Sequence, residues 1–167
     1  MHKFIFRTFL ISIALLAAPA WAQTQTAEQS SNPAPRWLVN CNNQANQAVL
    51  ACAMSQSIIR AQTRQRIVTA NIFKDEKGSY VMRLVLPHGL DLTKGVSFSI
   101  DNGTPTQYAI TTADANGSYA RIPLSDAVIE ALKAGNTAIV AVSNIGGNNI
   151  NLEISLSGFS ASFALLN

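Results

Sequence analysis

Beyond residue 36 the apolar positions of this chain recur mainly every second residue. In residues 149–157, Ile150, Leu152, Ile154 and Leu156 fall on one side, while Asn151, Glu153 and Ser155 fall on the other. That alternation predicts a strand with one buried face. Tyr80, Met82, Leu84 and Leu86 make a second stripe within residues 79–86, and Val96, Phe98 and Ile100 make a third. Residues 137–144 and 66–73 read as further strands. Turn residues separate the runs: Lys74-Asp75-Glu76-Lys77-Gly78, Asp101-Asn102-Gly103, Asn116-Gly117 and Gly146-Gly147-Asn148-Asn149. In the Asn-Gly pairs both residues tolerate positive φ, which suits tight hairpins. Short strands with frequent turns predict an all-β fold, mainly an antiparallel β-sandwich.

One short helix is expected near residues 125–134. Ser125 can cap it, Leu124, Val128, Ile129 and Leu132 form its apolar face, and Gly135 stands where it stops. Phe159, Phe163 and Leu166 recur at i, i+4 and i+7, a spacing that permits a second short helix at the C-terminus.

The first 35 residues follow neither pattern. Lys3 and Arg7 precede an apolar run from Phe9 to Ala18, Pro19 ends it, and Ala20-Trp21-Ala22 offers the small-x-small pattern of a signal-peptidase site. Residues 1–22 are therefore expected to be a signal peptide. The run is shorter than the roughly 20 residues a membrane-spanning helix needs. Residues 23–35 are polar and rich in Gln, Ser and Pro, and are expected to be a flexible linker. Residues 36–167 would form a single domain, with no stable membrane span after cleavage. The predicted strands are mostly shorter than the roughly 9–11 residues of an outer-membrane barrel strand.

Removing the leader changes the charge. The 167-residue chain has 12 basic and 9 acidic residues, a net charge of +3. Loss of Lys3 and Arg7 leaves ten basic against nine acidic residues, a net of +1 on a mature chain of 145 residues. A near-neutral domain in an exported chain is a poor match for nucleic acid. Charged residues make up 13%, against about 25% in average soluble domains, so the exposed sheet positions must be filled largely by Asn, Ser, Thr and Gln.

Cys41 and Cys52 are the only cysteines. An even pair in an exported chain is most simply a disulfide, here a staple between two strands flanking the polar stretch from Asn42 to Gln47. The spacing is not the Cys-x-x-Cys of a redox couple.

Little else in the sequence points to chemistry. His88 is the one histidine left after cleavage, in the turn Leu-Pro-His-Gly-Leu, and one imidazole without a cysteine motif makes no common zinc site. No nucleophile elbow, metalloprotease helix, phosphate loop or EF-hand spacing is present, so no metal or other cofactor is expected. Asp75 and Glu76 are adjacent but sit between Lys74 and Lys77, as a solvated turn would place them. Trp37 is expected in the core. Arg60, Arg64 and Arg66 are the candidate binding residues. If residues 59–73 form one strand, all three share a face and could grip phosphate, sulfated glycan or an acidic protein through bidentate contacts.

Several short segments together carry a family resemblance. Trp37-Leu38-Val39-Asn40-Cys41, Cys52-Ala53-Met54-Ser55-Gln56, Leu86-Pro87-His88-Gly89-Leu90, then Gly95, Asp101 with Gly103, and Gly158-Phe159 follow one another in order. This series resembles the invasion-associated locus B family of exported bacterial proteins over about residues 36–166. One departure stands out. Family members often carry a second cysteine pair, in part within a Gly-Cys-x-Ala segment, whereas this chain has Gly117-Ser118-Tyr119-Ala120, with Thr111 or Thr112 upstream. The resemblance implies a protein of the Gram-negative periplasm or surface, linked in some members to host-cell entry, and supplies no catalytic residues.

The sequence thus leads to a non-catalytic exported protein. It would act in the periplasm, at the outer membrane or after secretion, by binding a protein or glycan at the cell envelope or host surface. An envelope enzyme of unfamiliar type would instead require several of His88, Asp91, Asp101 and Asp114 to meet in one cleft. An assembly or chaperone role would require a long, uncharged, unpaired edge strand.

Overall fold

A computed structural model describes residues 36–42 and 50–166. The proposed signal peptide and linker lie outside the described residues, as does most of the stretch between the two cysteines.

Among the described residues ten strands form two antiparallel sheets. The larger contains β1 (Leu38–Asn42), β2 (Ala51–Ile59), β3 (Arg66–Lys74), β4 (Tyr80–Leu86), β7 (Ile110–Asp114) and β8 (Gly117–Pro123), in the order β1-β2-β3-β4-β8-β7. The smaller contains β5 (Val96–Ile100), β6 (Thr106–Tyr108), β9 (Thr137–Ser143) and β10 (Asn149–Ser155), in the order β10-β9-β5-β6. Helix α1 (Asp126–Ala134) links β8 to β9, and α2 (Phe159–Phe163) follows β10 and runs into a 3-10 turn at Ala164–Leu166. The expected sandwich, the helix near 125–134 and the short C-terminal helix are all present.

The alternation works as the period of two requires. Val68, Ala70 and Ile72 of β3, Met82, Leu84 and Leu86 of β4, Val96 and Phe98 of β5, and Val140 and Val142 of β9 fill the space between the sheets. In β10, Leu152 and Ile154 are buried and Leu156 follows them inward, whereas Ile150, near the start of this edge strand, is 38% exposed. β4 departs from simple alternation. Val81 and Val85, on its outward side, are also buried, whereas Arg83 between them is exposed.

The helix stops at Gly135 as expected, and the turn after β5 needs one correction. Ser125 Oγ does accept from the Val128 amide, at 3.4 Å, and Ile129 and Leu132 face the core. Gly135, however, has φ −80°, so it does not end the helix in the left-handed conformation. A Cβ there would crowd Ile100 and Asp101, so close approach accounts for the glycine. In the loop after β5 it is Asp101, at φ 48°, that adopts the left-handed region, whereas Gly103 has no positive φ. The Asp101 carboxylate accepts from the Asn136 and Thr137 amides at 2.9–3.2 Å, which holds the strained residue in place.

The sequence pattern left β6, β7 and β8 unassigned. β6 and β7 are short and mostly exposed, so their apolar alternation is weak, and the chain crosses between them from one sheet to the other. β8 runs deep in the large sheet, but Ser118, Ala120 and Ile122 form only a faint apolar stripe.

An aromatic cluster closes one end of the sandwich. Trp37 meets Phe159 edge-to-face at 5.3 Å, Phe159 stacks near Phe163 at 5.7 Å, and Phe163 lies 4.6 Å from Tyr80. Trp37 is buried, as expected, and α2 serves to bring two phenylalanines over the end of the core. Gly158, just before α2, takes φ 77°, a left-handed turn for which glycine carries no Cβ penalty.

Candidate binding surface

Cys41 and Cys52 are bonded. They face each other directly in the β1–β2 register, so the bridge ties the edge strand β1 to its only neighbour in the sheet. The staple expected from the sequence is therefore present.

The proposed arginine stripe is not a stripe. β2 ends at Ile59, β3 begins at Arg66, and the intervening Arg60-Ala61-Gln62-Thr63-Arg64-Gln65 forms a hairpin turn. The Arg60 amide donates to Gln65 O and the Arg64 amide to Arg60 O, both at 2.8 Å, and Arg64 takes φ 55°. The reason is compositional. A run of six residues with one alanine and no larger apolar side chain has nothing to bury on a sheet face, so the chain turns. All three arginines remain exposed on this hairpin, beside an Ile59 that is 53% exposed. Arg66 reaches back across the sheet to donate from Nη2 to Asn116 O at 2.6 Å, so its position is set by the β7–β8 turn.

The carboxylates are occupied locally. Asp75 accepts from the Lys77 and Ser79 amides and pairs with Arg121 at 2.6 Å. The Ser79 amide, with help from Lys77 and Arg121, holds its carboxyl below the usual carboxylate range. Asp91 caps the 3-10 turn at Leu92–Lys94, accepting from the Thr93 hydroxyl at 2.6 Å and the Thr93 amide at 3.1 Å, and is lowered mainly by that hydroxyl. Asp114 accepts from the Asn116 amide at 2.7 Å and the Tyr119 hydroxyl at 2.8 Å; the amide is the larger cause of its lowered pKa. The same bond raises Tyr119, since ionising the phenol would cost it the proton it donates.

His88 is exposed, with Nε2 3.5 Å from Ala115 O, which places it beside the β7–β8 turn that follows Asp114. Asp91 and Asp101 sit in turns of their own. Among the described residues no three His, Cys, Asp or Glu side chains are grouped as a metal would need.

Three depressions stand out, one of them, of about 570 Å³, lying among Lys94, Ser97, Gln107 and Asn149. A groove of about 500 Å³ runs between α1 and the β5–β6 edge, lined by Phe98, Ile100, Tyr108, Val128 and Ala131 among others. The third, of about 400 Å³, lies at the β3–β4 turn and includes Asp75, Tyr80, Val81 and Arg121.

Among the arginines that the sequence did not single out are Arg83 and Arg121. They stand opposite each other on β4 and β8, exposed on the outer face of the large sheet. Their separation in the chain gives no local signal. Only the strand pairing brings them together.

The match to known proteins covers the whole described domain. The family model described as Invasion associated locus B (IalB) protein matches residues 37–167. The chain belongs to this family. Two invasion protein B homologs of Brucella abortus, from strain 2308 and from biovar 1 strain 9-941, are each 30% identical over 155 residues. That span covers 92% of this chain and 87% of theirs. The crystal structure of invasion associated protein B from Bartonella henselae superposes with a TM-score of 0.71 at 24% identity, covering 80% of this chain and 91% of that one. At that identity the likeness establishes the sandwich fold that the IalB family member shares. Among the described residues no helix is long and apolar enough to cross a membrane.

Proposed function

We propose that this family member is an exported, non-catalytic protein that works by surface binding, in the periplasm or at the cell surface, and contributes there to host-cell invasion. The observation that carries the reading is the use made of the aspartates. Asp75, Asp91, Asp101 and Asp114 each spend carboxylate oxygens on backbone amides of turns, which fixes the loops and leaves these groups poorly placed for proton transfer. Family membership supports the link to invasion. The β2–β3 hairpin, with Arg60 and Arg64 exposed beside Ile59 and Arg66 anchored to Asn116, is a candidate contact for a protein or glycan partner.

The test is retention. Purified protein, immobilised, is exposed to envelope and host-membrane extracts, alongside a variant carrying Arg60→Gln, Arg64→Gln and Arg66→Gln. The reading expects a partner held by the wild type and lost or weakened with the variant. Equal retention would remove the hairpin from the contact. No specific retention from either extract would overturn the binding role.

A further inference from the structure

The near-neutral net charge conceals a separation of charge between the two layers. The large sheet, with its loops and the residue leading into β1, carries Arg36, Arg60, Arg64, Arg66, Arg83 and Arg121 together with Lys74 and Lys77. Against these eight stand Asp75, Glu76 and Asp114, a net of five positive charges. The rest of the described chain, built around the small sheet and helices, has two lysines, Lys94 and Lys133, against five carboxylates, a net of three negative. Every arginine of the described domain belongs to the large-sheet layer.

Within that layer one row has a specific shape. The strand registers align Ser55 of β2, Asn71 of β3, Arg83 of β4 and Arg121 of β8 across four neighbouring strands. At about 4.8 Å between strands the row spans about 14 Å. All four side chains point outward, since their neighbours Met54, Ile72, Met82 and Ile122 are buried between the sheets. Like charges directly opposed on adjacent strands disfavour the fold, yet Arg83 faces Arg121. Arg121 is offset by Asp75, while among the described residues Arg83 has no carboxylate partner and lies over the Phe73 ring at 5.4 Å.

We infer that this row is a binding track for a linear sulfated polysaccharide lying across the strands of the large sheet. The inference rests on the binding role proposed above and adds to the hairpin a second site, on the sheet face, with its ligand class. Arginine presents a planar fork suited to two sulfate oxygens at once, and Ser55 and Asn71 supply neutral hydrogen-bonding groups along the same line. The strand spacing is comparable to the length of one sugar residue, so successive anionic groups of a chain can meet successive strands. A membrane fits less well, because Val81 and Val85, the apolar side chains flanking Arg83, are buried rather than projecting.

The experiment measures binding of heparin to the whole purified chain at low and physiological salt. Uncharged dextran, polyglutamate and phosphatidylglycerol vesicles are the other probes. Heparin is expected to bind more weakly as salt rises, and dextran not to bind. R83Q/R121Q should weaken heparin binding at least about tenfold, R83K should lose part of it, and K94Q, on the small-sheet side, should stay close to wild type. Circular dichroism and thermal unfolding confirm that each variant is folded; R83Q alone, which spares the Arg121–Asp75 pair, replaces the double variant if that one is not. Unchanged heparin binding in a folded R83Q variant would overturn the inference, as would tighter binding of polyglutamate or vesicles. If heparin fails while the extracts still retain a partner, only this site and ligand class fall. If nothing is retained, the binding role falls with them.

Discussion

The indole Nε1 of Trp37 donates to the carbonyl oxygen of Ser155 at 3.0 Å, across 118 residues of chain. The same oxygen accepts from Gln56 Nε2, also at 3.0 Å. Trp37 precedes β1 and Ser155 ends β10, each an edge strand of its sheet, so this acceptor joins the two layers where, among the described residues, neither has a further strand. Replacing Trp37 by Ala removes the edge-to-face contact with Phe159 and opens a cavity, for an expected loss of about 3–5 kcal/mol. Trp37→Phe keeps a ring but loses the donor, and Gln56 still serves Ser155, so the loss is expected nearer 1 kcal/mol. Urea unfolding of both variants separates the packing contribution from the hydrogen bond.

The disulfide should matter through the unfolded chain. Cys41 and Cys52 are 11 residues apart, for which the chain-entropy account gives about 2.8 kcal/mol. Cys41→Ser/Cys52→Ser should lower stability by about that amount while keeping the far-ultraviolet spectrum of a β protein. Mass analysis without reductant should find the wild type two hydrogens lighter than its reduced form. Full-strength unfolding resistance in the double serine variant would deny the staple its role.

Gly117 opens β8 at φ 147°, and a Cβ there would drive into the Leu86 carbonyl of the neighbouring strand. Gly117→Ala is expected to cost about 3 kcal/mol. Gly147 provides the comparison, since its φ of 81° is left-handed but the space beside it is open. Gly147→Ala should cost only the conformational penalty, about 1–2 kcal/mol. Thermal unfolding of the pair tests whether crowding adds to strain; equal losses would contradict it.

Acid should loosen the turns. Asp75, Asp91 and Asp114 all have pKa values lowered from 3.8 by hydrogen bonds that exist only in the folded chain. The folded protein therefore binds fewer protons than the unfolded one as pH falls through this range. Their stabilisation is complete above the unfolded carboxylate value and is lost as pH drops through the folded ones. Melting temperature should be flat on the neutral side and fall below about pH 4. Asp114→Asn should make that fall shallower and let Tyr119 ionise at lower pH than in the wild type, which absorbance of the phenolate reads directly. An unchanged tyrosine titration would show that the Asp114–Tyr119 bond does not persist in solution.

Much of the architecture was legible in the chain. Period-two stripes in β3, β4, β5, β9 and β10 point their apolar residues inward because each strand must bury one face, and that requirement is written residue by residue. Ser125, the apolar face after it, and Phe159 with Phe163 and Leu166 marked the helices for the same local reason. The cysteine pairing also followed from there being only two. The arginines show where local reading ends. Arg60, Arg64 and Arg66 look like one face only if the chain runs straight, and a polar run with no core to serve turns instead. Arg83 and Arg121 carry no mutual signal in sequence, because a sheet brings together residues whose separation depends on which strands pair. The net charge is likewise a property of the sequence, but its division between two layers comes from the strand order, which gathers every arginine of the described domain in the large sheet, its loops and the residue leading into it. Sequence by itself determined what each strand buries. Tertiary pairing decided what the outer faces present, because solvent-facing positions answer to no local packing rule and acquire neighbours only when the sheets assemble.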